Sequence, residues 1–385
     1  MELAKRIANL PPYLFAELDR KIEEKEAQGV DVISLGMGDP VEPTPQHIID
    51  RLCEAANDPI THRYPSYYGF PQFREEIARW YYHRFKVHLD PEKEVLPLIG
   101  SKEGIAHIFL ALIDPGDVAL IPDPAYPVYS TGTILSGGHA ELMPLLAENE
   151  FNPDFTQIDS KILDRAKLVF LNYPNNPTAA IARDTLFEEA VELARKHNFI
   201  ICHDFAYSEI TFDDYVASSI FETPGAKDVA IEFHSLSKTY NMTGWRVGWV
   251  SGNAEVIEAL GRVKTNIDSG IFNAIQRAGI EALTGPQDSV ERMRRIYKRR
   301  RDLVVDALTE AGFSVNRPLG TIYVWVPLPE GFTSASFATH VLDKVGVVLS
   351  PGSAYGPSGE GYFRISLTVK DDRLKEALER IKKQL

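Results

Sequence analysis

The amino-acid sequence predicts an α/β protein with a large lobe around a mostly parallel sheet and a smaller α/β lobe formed by both termini. Three observations carry that prediction. At 385 residues the chain exceeds the length at which one hydrophobic core stops growing, so two packed lobes are expected. Between about residues 95 and 250, short β-rich runs alternate with helical patterns, as in a parallel sheet wrapped by helices. Beyond Gly312 a second group of strand-like runs ends in an amphipathic helix, enough for a separate, smaller core.

In chain order, the segment 1–45 is expected to join the small lobe, 46–286 to form the large lobe, and 287–385 to complete the small one. The large-lobe strands are read from VLPLIG, VALIPD, AKLVFLNY, FIICHD, VAIEFHS and RVGWVSG. Several are apolar without alternation, as strands buried on both faces require. Between them, Glu103 to Ile113 sets Ile105, Ile108, Phe109 and Leu112 at helical spacing, giving one stripe to pack on the sheet. Gln287 to Gly312 reads as one long helix with Val290, Met293, Tyr297, Val304 and Leu308 on one side and Gly312 as its stop. In the small lobe TIYVWVPL, VGVVLSPG and GYFRISLTV read as strands, and Asp371 to Gln384 as a capped amphipathic helix.

Composition narrows the function classes. A chain with 44% hydrophobic and 25% charged residues is an ordinary globular protein, and a formal net charge of −13 repels nucleic acid and anionic membrane. Small-molecule partners are therefore expected. Cys53 and Cys202 form no CxxC pair, so neither a disulfide framework nor a zinc site is expected, and a reducing cytoplasm fits. No apolar run of 18 residues and no signal-peptide core occurs. The histidines lack an HxxxH pair, LGMGDP lacks the third glycine of a dinucleotide fingerprint, and ERMRRIYKRRR is read as a solvated helix face. Metal, NAD and nucleic acid are thus not expected.

The chemistry concentrates in SLSKTYNMTGWRVGW, which follows a buried run and brings Ser235, Ser237, Lys238 and Arg246 close together. Hydroxyls and a guanidinium suit a phosphate, and a lysine shifted down from its ordinary pKa of about 10.4 suits imine formation with an aldehyde. An isolated SxSK is usually a surface turn. Here, however, FIICHDFAY ends a strand with Asp204 and runs on to Tyr207, where open α/β sheets place their ligands. A carboxylate there can hold a pyridinium nitrogen protonated, although Asp after a strand is also a common helix cap. LVFLNYPNNPT carries Asn176 into a turn, where its amide can meet a ring hydroxyl. The ordered set Asn176, Asp204, Tyr207, Lys238 and Arg246, each near a strand end, is hard to assemble by chance.

Further contacts follow the same pattern. Gly100 and Ser101 lead from a strand into a helix, whose free N–H groups bind anions. Lys102 opposes the dipole in that first turn, which either a bound anion or simple solvation explains. Tyr126, in a proline-bounded loop, is placed either to stack on a planar ring or to fill core. Arg364 lies inside an apolar strand and needs an anionic partner, which a substrate carboxylate would supply.

These motifs resemble, nearly end to end, the class I aminotransferases of the pyridoxal-phosphate fold family that includes aspartate aminotransferase. More narrowly, PPYLFAELDRKI, ISLGMGDP, IGSKEGIAHI, NYPNNPTAA, IEFHSLSKTYNMTGWR and NIDSG are similar to the bacterial LL-diaminopimelate aminotransferase subgroup. The resemblance implies a seven-stranded sheet, pyridoxal 5'-phosphate as cofactor, and a homodimer with active sites at the subunit interface. It makes Lys238 the Schiff-base lysine, Asp204 the partner of the pyridine nitrogen, and Asn176 with Tyr207 the partners of the ring oxygen. Tyr126 becomes the stacking aromatic; Ser101, Ser235, Ser237 and Arg246 become phosphate ligands, joined by Tyr64 from a partner subunit. Arg364 corresponds to the α-carboxylate arginine, and Tyr13, Gly38 and Lys102 to substrate-contacting positions. Ala179 is a departure, standing where many relatives have glycine after NPT. The implied reaction moves an amino group from LL-diaminopimelate to 2-oxoglutarate in lysine biosynthesis. Aspartate or alanine transamination and carbon–sulfur lysis use the same electron sink. A ligand-sensing regulator, the remaining alternative, would need an appended DNA-binding domain.

Overall fold

The computed structural model of the protein describes residues 3–11 and 14–383. Its strands, in chain order, are β1 (Ile33–Ser34), β2 (Val95–Leu98), β3 (Val118–Asp123), β4 (His139–Pro144), β5 (Ala166–Leu171), β6 (Ile200–Asp204), β7 (Ala230–Ser235), β8 (Gly248–Gly252), β9 (Tyr323–Pro327), β10 (Val347–Val348), β11 (Ser350–Pro351) and β12 (Tyr362–Ser366).

A seven-stranded sheet in the order β2-β8-β7-β6-β5-β3-β4 forms the large part of the molecule. The pairs β3–β4, β3–β5, β5–β6 and β6–β7 are parallel; only β8 runs antiparallel, to both β2 and β7. All six apolar runs form strands of this sheet, and β3, β7 and β8 are buried throughout, with apolar cores on either face. The seventh strand, β4, has no apolar run to announce it. HAELMP is an edge strand, largely open to solvent with only Met143 buried, and backbone pairing with β3 makes it a strand.

The smaller part holds an antiparallel sheet, β11-β12-β9, and a two-stranded parallel sheet, β1-β10. Ile33 and Leu35 share its core with Tyr297, Val304, Val347, Phe363 and Leu378. VGVVLSPG, read as one strand, is split: β10 pairs with β1 and β11 with β12, so the chain changes sheets at Leu349. The long helix spans Asp288–Glu310 and buries Val290, Met293, Tyr297, Val304 and Leu308, as its periodicity predicts.

Two readings of this region are corrected. The helix Asp371–Lys382 has no side-chain cap; its N-cap is Lys370, and Asp371 instead accepts from Arg299 and Arg300 at 2.7 Å each. Those charge-assisted bonds outweigh a cap in strength. The basic run is likewise not simply a solvated face. Arg300 and Arg301 are buried, Arg300 bonding Glu42 and Asp371 and Arg301 bonding Asp213 and the Pro318 carbonyl, so each guanidinium carries its counter-charge with it.

Parallel packing brings the carboxyl ends of β5, β6 and β7 to one edge, where β6 ends in Asp204 and β7 in Ser235. Across the cleft, β12 carries Arg364 toward the same edge, and a bridge between Thr211 and Gly320 ties the two parts together. Among the described residues, no helix is long and apolar enough to cross a membrane.

Candidate active site

The cleft contains a cavity of about 440 Å³. It gathers Gly38, Ser101, Lys102, Tyr126, Asn176, Asp204, Tyr207, Ser235, Ser237, Lys238, Arg246 and Arg364, residues that the sequence scatters over more than 300 positions. Two anticipated residues are not among them. Tyr64 is 88% exposed away from the cavity, and Tyr13 lies outside the described residues.

Lys238 follows β7 on the short helix Leu236–Thr239, and its Nζ donates to the Gly38 carbonyl at 2.5 Å. Burial pushes its pKa below the ordinary lysine value, opposed by Tyr323 and Asp39 and assisted by the Arg364 and Arg246 charges. An amine so placed loses a proton more readily than a solvated lysine, as nucleophilic or general-base work requires.

Asp204 closes the floor. Tyr129 donates to its Oδ2 at 2.8 Å, while Oδ1 is buried with no protein partner. Burial raises its pKa, and the Tyr129 bond followed by the His203 charge pulls it back. A buried carboxylate oxygen without a donor suits an N–H from a bound ring.

Asn172 pins the next loop to this floor: its Nδ2 donates to the Asp204 carbonyl at 2.6 Å and its Oδ1 accepts from the Asn176 N–H at 2.8 Å. Asn176 in turn accepts at Oδ1 from Arg364 Nη1 at 2.7 Å, which leaves its NH2 group to donate. Arg364 also donates from Nη2 to the Gly36 carbonyl at 2.6 Å, and its guanidinium carbon lies 3.8 Å from the Tyr323 ring centroid and 4.8 Å from that of Tyr355. These partners hold the fork by an amide, a carbonyl and two aromatic faces, none of them a carboxylate, and Nε is buried without a partner. The anionic partner expected from its burial is therefore not supplied by these contacts.

Tyr207 and Tyr323 hydroxyls lie 3.2 Å apart. Burial and the neighbouring Tyr323 drive Tyr207 up; Tyr323 is pushed up by burial too, but Arg364 and Lys238 outweigh that and leave it below the usual tyrosine range. At the other end of the cavity, Ser101 opens the helix Ser101–Leu112, and Ser235 and Ser237 are buried beside it. Gly100 is required there twice over. Its φ is +75°, and a Cβ would fall 2.0 Å from Arg246 Nη2, so the guanidinium rests against bare backbone. Arg246 also donates to the Thr243 carbonyl at 2.8 Å. Two hydroxyls, a helix start and a guanidinium make a cradle for a phosphate. Lys102 Nζ stands 5.9 Å from the Tyr126 ring centroid at the rim.

Tyr129, Tyr323 and Asn172 were missed from sequence. The tyrosines sit within apolar helix and strand patterns and look like core aromatics; Asn172 lay inside a quoted motif, beside the more obvious Asn176. Elsewhere, Glu103, His107 and Asp268 approach one another closely, but the buried Lys264 ammonium lies 2.8 Å from Asp268 and 3.4 Å from Glu103, so a protein cation already meets those carboxylates.

The chain is similar to known proteins over its whole length. The family described as aminotransferase class I and II matches residues 30–381. An LL-diaminopimelate aminotransferase from Moorella thermoacetica is 56% identical over 385 residues, covering 100% of this chain and 99% of the relative. Substrate-bound BacF from Bacillus subtilis superposes with a TM-score of 0.96 at 38% identity, over 100% of this chain and 98% of that one. A double mutant of Thermus thermophilus aspartate aminotransferase superposes at 0.94 with 29% identity over the full length of both chains.

Proposed function

The chain belongs to the class I and II aminotransferases, and on that premise we propose that it transfers the amino group of LL-diaminopimelate to 2-oxoglutarate with pyridoxal 5'-phosphate, in lysine biosynthesis. The observation that carries the cofactor reading is the buried, unpartnered Asp204 Oδ1 in one cavity with the Lys238 amine and the Arg364 fork. The donor reading is supported by the 56% identical relative of that name.

The residues present fit the cofactor. Bound there, it supplies an aldehyde for amines and a ring that accepts electrons. Asp204 Oδ1 would hold the ring nitrogen protonated, the Asn176 amide and Tyr207 hydroxyl would meet the ring oxygen, and Tyr126 would cover one ring face. Ser101, Ser235, Ser237 and Arg246 would hold the phosphate, with Tyr64 of a second copy completing the cradle in a homodimer. Tyr64 is exposed on this chain, as a residue serving a neighbour's site would be.

Arg364 grips the substrate α-carboxylate by two parallel N–H donors, which fixes the α-hydrogen relative to the Lys238 amine. Lys238, kept low in pKa by burial, would take the proton from the substrate α-carbon and hold it on Nζ for return. Lys102 is placed for a distal carboxylate, with Gly38 and Tyr13 completing the substrate pocket. In this reading residues 46–286 form the cofactor-binding domain, 1–45 and 287–385 the smaller one, and the enzyme works in the cytoplasm.

Purified protein loaded with pyridoxal phosphate is expected to absorb visible light, to be bleached by LL-diaminopimelate, and to release glutamate from 2-oxoglutarate with ping-pong kinetics. Absence of a visible band sinks the cofactor assignment; a band that LL-diaminopimelate leaves unchanged sinks the substrate.

A further inference from the structure

Behind the floor of the cavity lies a buried charged cluster that the chemistry above does not use. Glu232 and His203 are 0% exposed and His234 only 2%. Five donor groups converge on the Glu232 carboxylate: Tyr81 hydroxyl at 3.0 Å, Ser219 hydroxyl at 3.0 Å, Ile220 N–H at 3.0 Å, His203 Nδ1 at 2.9 Å and His234 Nε2 at 2.9 Å. Glu232 is ionised, since the Ile220 N–H can only donate and the carboxyl is held far below the ordinary range. Its pKa is held at about 2, the bonds from His203 and His234 outweighing the cost of burial.

The second nitrogen of His203, Nε2, lies 3.2 Å from the Tyr173 carbonyl. A carboxylate at one nitrogen and a carbonyl at the other are both acceptors, an arrangement that only an imidazolium satisfies at both nitrogens. His234 gives its Nε2–H to Glu232, and burial pushes its pKa down, so it stays neutral. The cluster thus reduces to one buried cation and one buried anion.

Register fixes where that cation stands. His203 is paired with Glu232 across β6 and β7, and Asp204 is the next residue along β6. Successive strand residues face opposite sides, so Asp204 opens to the cavity while His203 backs it from the other face. Among the described residues no lysine or arginine forms an ion pair with Asp204. Its Oδ2 is held by the neutral Tyr129 hydroxyl, and the His203 charge is the next influence keeping the carboxylate ionised. The titratable groups facing the cluster are Glu232 and His234 from β7, Tyr81 from the helix Pro71–Phe85, Glu222 acting on Glu232, Glu209 acting on His234, and Asp204 itself.

We propose that His203, kept protonated by Glu232, is a positioning residue: the positive charge behind Asp204 that keeps this buried carboxylate ionised, so that its free oxygen can hold a proton on the cofactor's ring nitrogen. The inference rests on the cofactor reading of Asp204. Two measurements test it. In full-length protein labelled with 15N-histidine, both ring nitrogens of His203, assigned by the loss of its signals in His203→Phe, are expected to carry a proton, as the two acceptors facing them require. A His203 with one bare ring nitrogen overturns the proposal without any variant having to function.

In protein loaded with pyridoxal phosphate carrying 15N in its ring, the wild type is expected to show a protonated ring nitrogen. His203→Phe and Glu232→Gln are expected to shift that signal toward the unprotonated position. A ring nitrogen as protonated in His203→Phe as in the wild type overturns the proposal alone. Wild-type protein that binds no pyridoxal phosphate overturns the cofactor reading and the proposal with it.

Discussion

Replacing Tyr129 by phenylalanine isolates a single bond at the floor of the site. The ring is fully buried and stacks on Phe170 with centroids 4.6 Å apart, so phenylalanine keeps the packing and removes only the hydroxyl that donates to Asp204 Oδ2 at 2.8 Å. A hydrogen bond to a charged group contributes about 1.5–3 kcal/mol, and its loss removes the side-chain donor to a carboxylate whose Oδ1 is already buried without a partner. With an unfolding entropy of about 2.1 cal/mol/K per residue over 385 residues, that loss lowers Tm by about 2–4 °C. The pH dependence has a definite sign. Burial raises the folded-state pKa of Asp204, so ionised Asp204 costs stability as pH rises from the unfolded value of about 3.9 through the folded value. Tyr129 offsets part of that cost only while the carboxylate is charged. Scanning calorimetry of the cofactor-free protein is expected to show the full deficit at pH 8 and a smaller one at acid pH, once Asp204 has taken up its proton. A Tm unchanged at pH 8, or a deficit that widens toward acid, would refute the role given to this bond.

Three further outcomes follow from the geometry. Arg364→Lys loses the planar fork with its bonds to Asn176 and Gly36 and its stacking on Tyr323; kcat/KM is expected to fall about 100-fold, roughly 2.7 kcal/mol, for every amino donor alike. Gly38→Ala puts a Cβ 2.0 Å from the Tyr323 hydroxyl, and such overpacking costs about 1–3 kcal/mol; lowered Tm and raised KM are expected, with partial recovery in Gly38→Ala/Tyr323→Phe, and full activity of the single variant would show that Tyr323 moves freely. Lys102→Met is expected to raise KM about tenfold for a donor with a distal carboxylate and to leave a donor without one unaffected, so equal effects on both would remove Lys102 from substrate recognition.

Much of this was legible in the sequence because the large sheet is buried on both faces: its strands announce themselves as continuous apolar runs, and polar residues at their ends stand out. Asp204, Lys238 and Arg364 are visible for that reason. β4 was not, since an edge strand held by backbone pairing needs no apolar face. Tyr129 and Tyr323 were hidden because a tyrosine whose hydroxyl reaches a functional group has the same helical or strand spacing as one that fills a core. Arg300 and Arg301 misled in the opposite direction, since their buried partners Glu42, Asp213 and Asp371 lie far away in sequence. The His203–Glu232 pair is a matter of strand register, which a single strand's pattern does not reveal.

The proposed function makes Lys238 the residue that carries the cofactor. Protein loaded with pyridoxal phosphate, reduced with borohydride, digested and mapped by mass spectrometry is expected to yield one cofactor-bearing peptide, modified at Lys238. A cofactor fixed on another lysine, or none fixed at all, would contradict it.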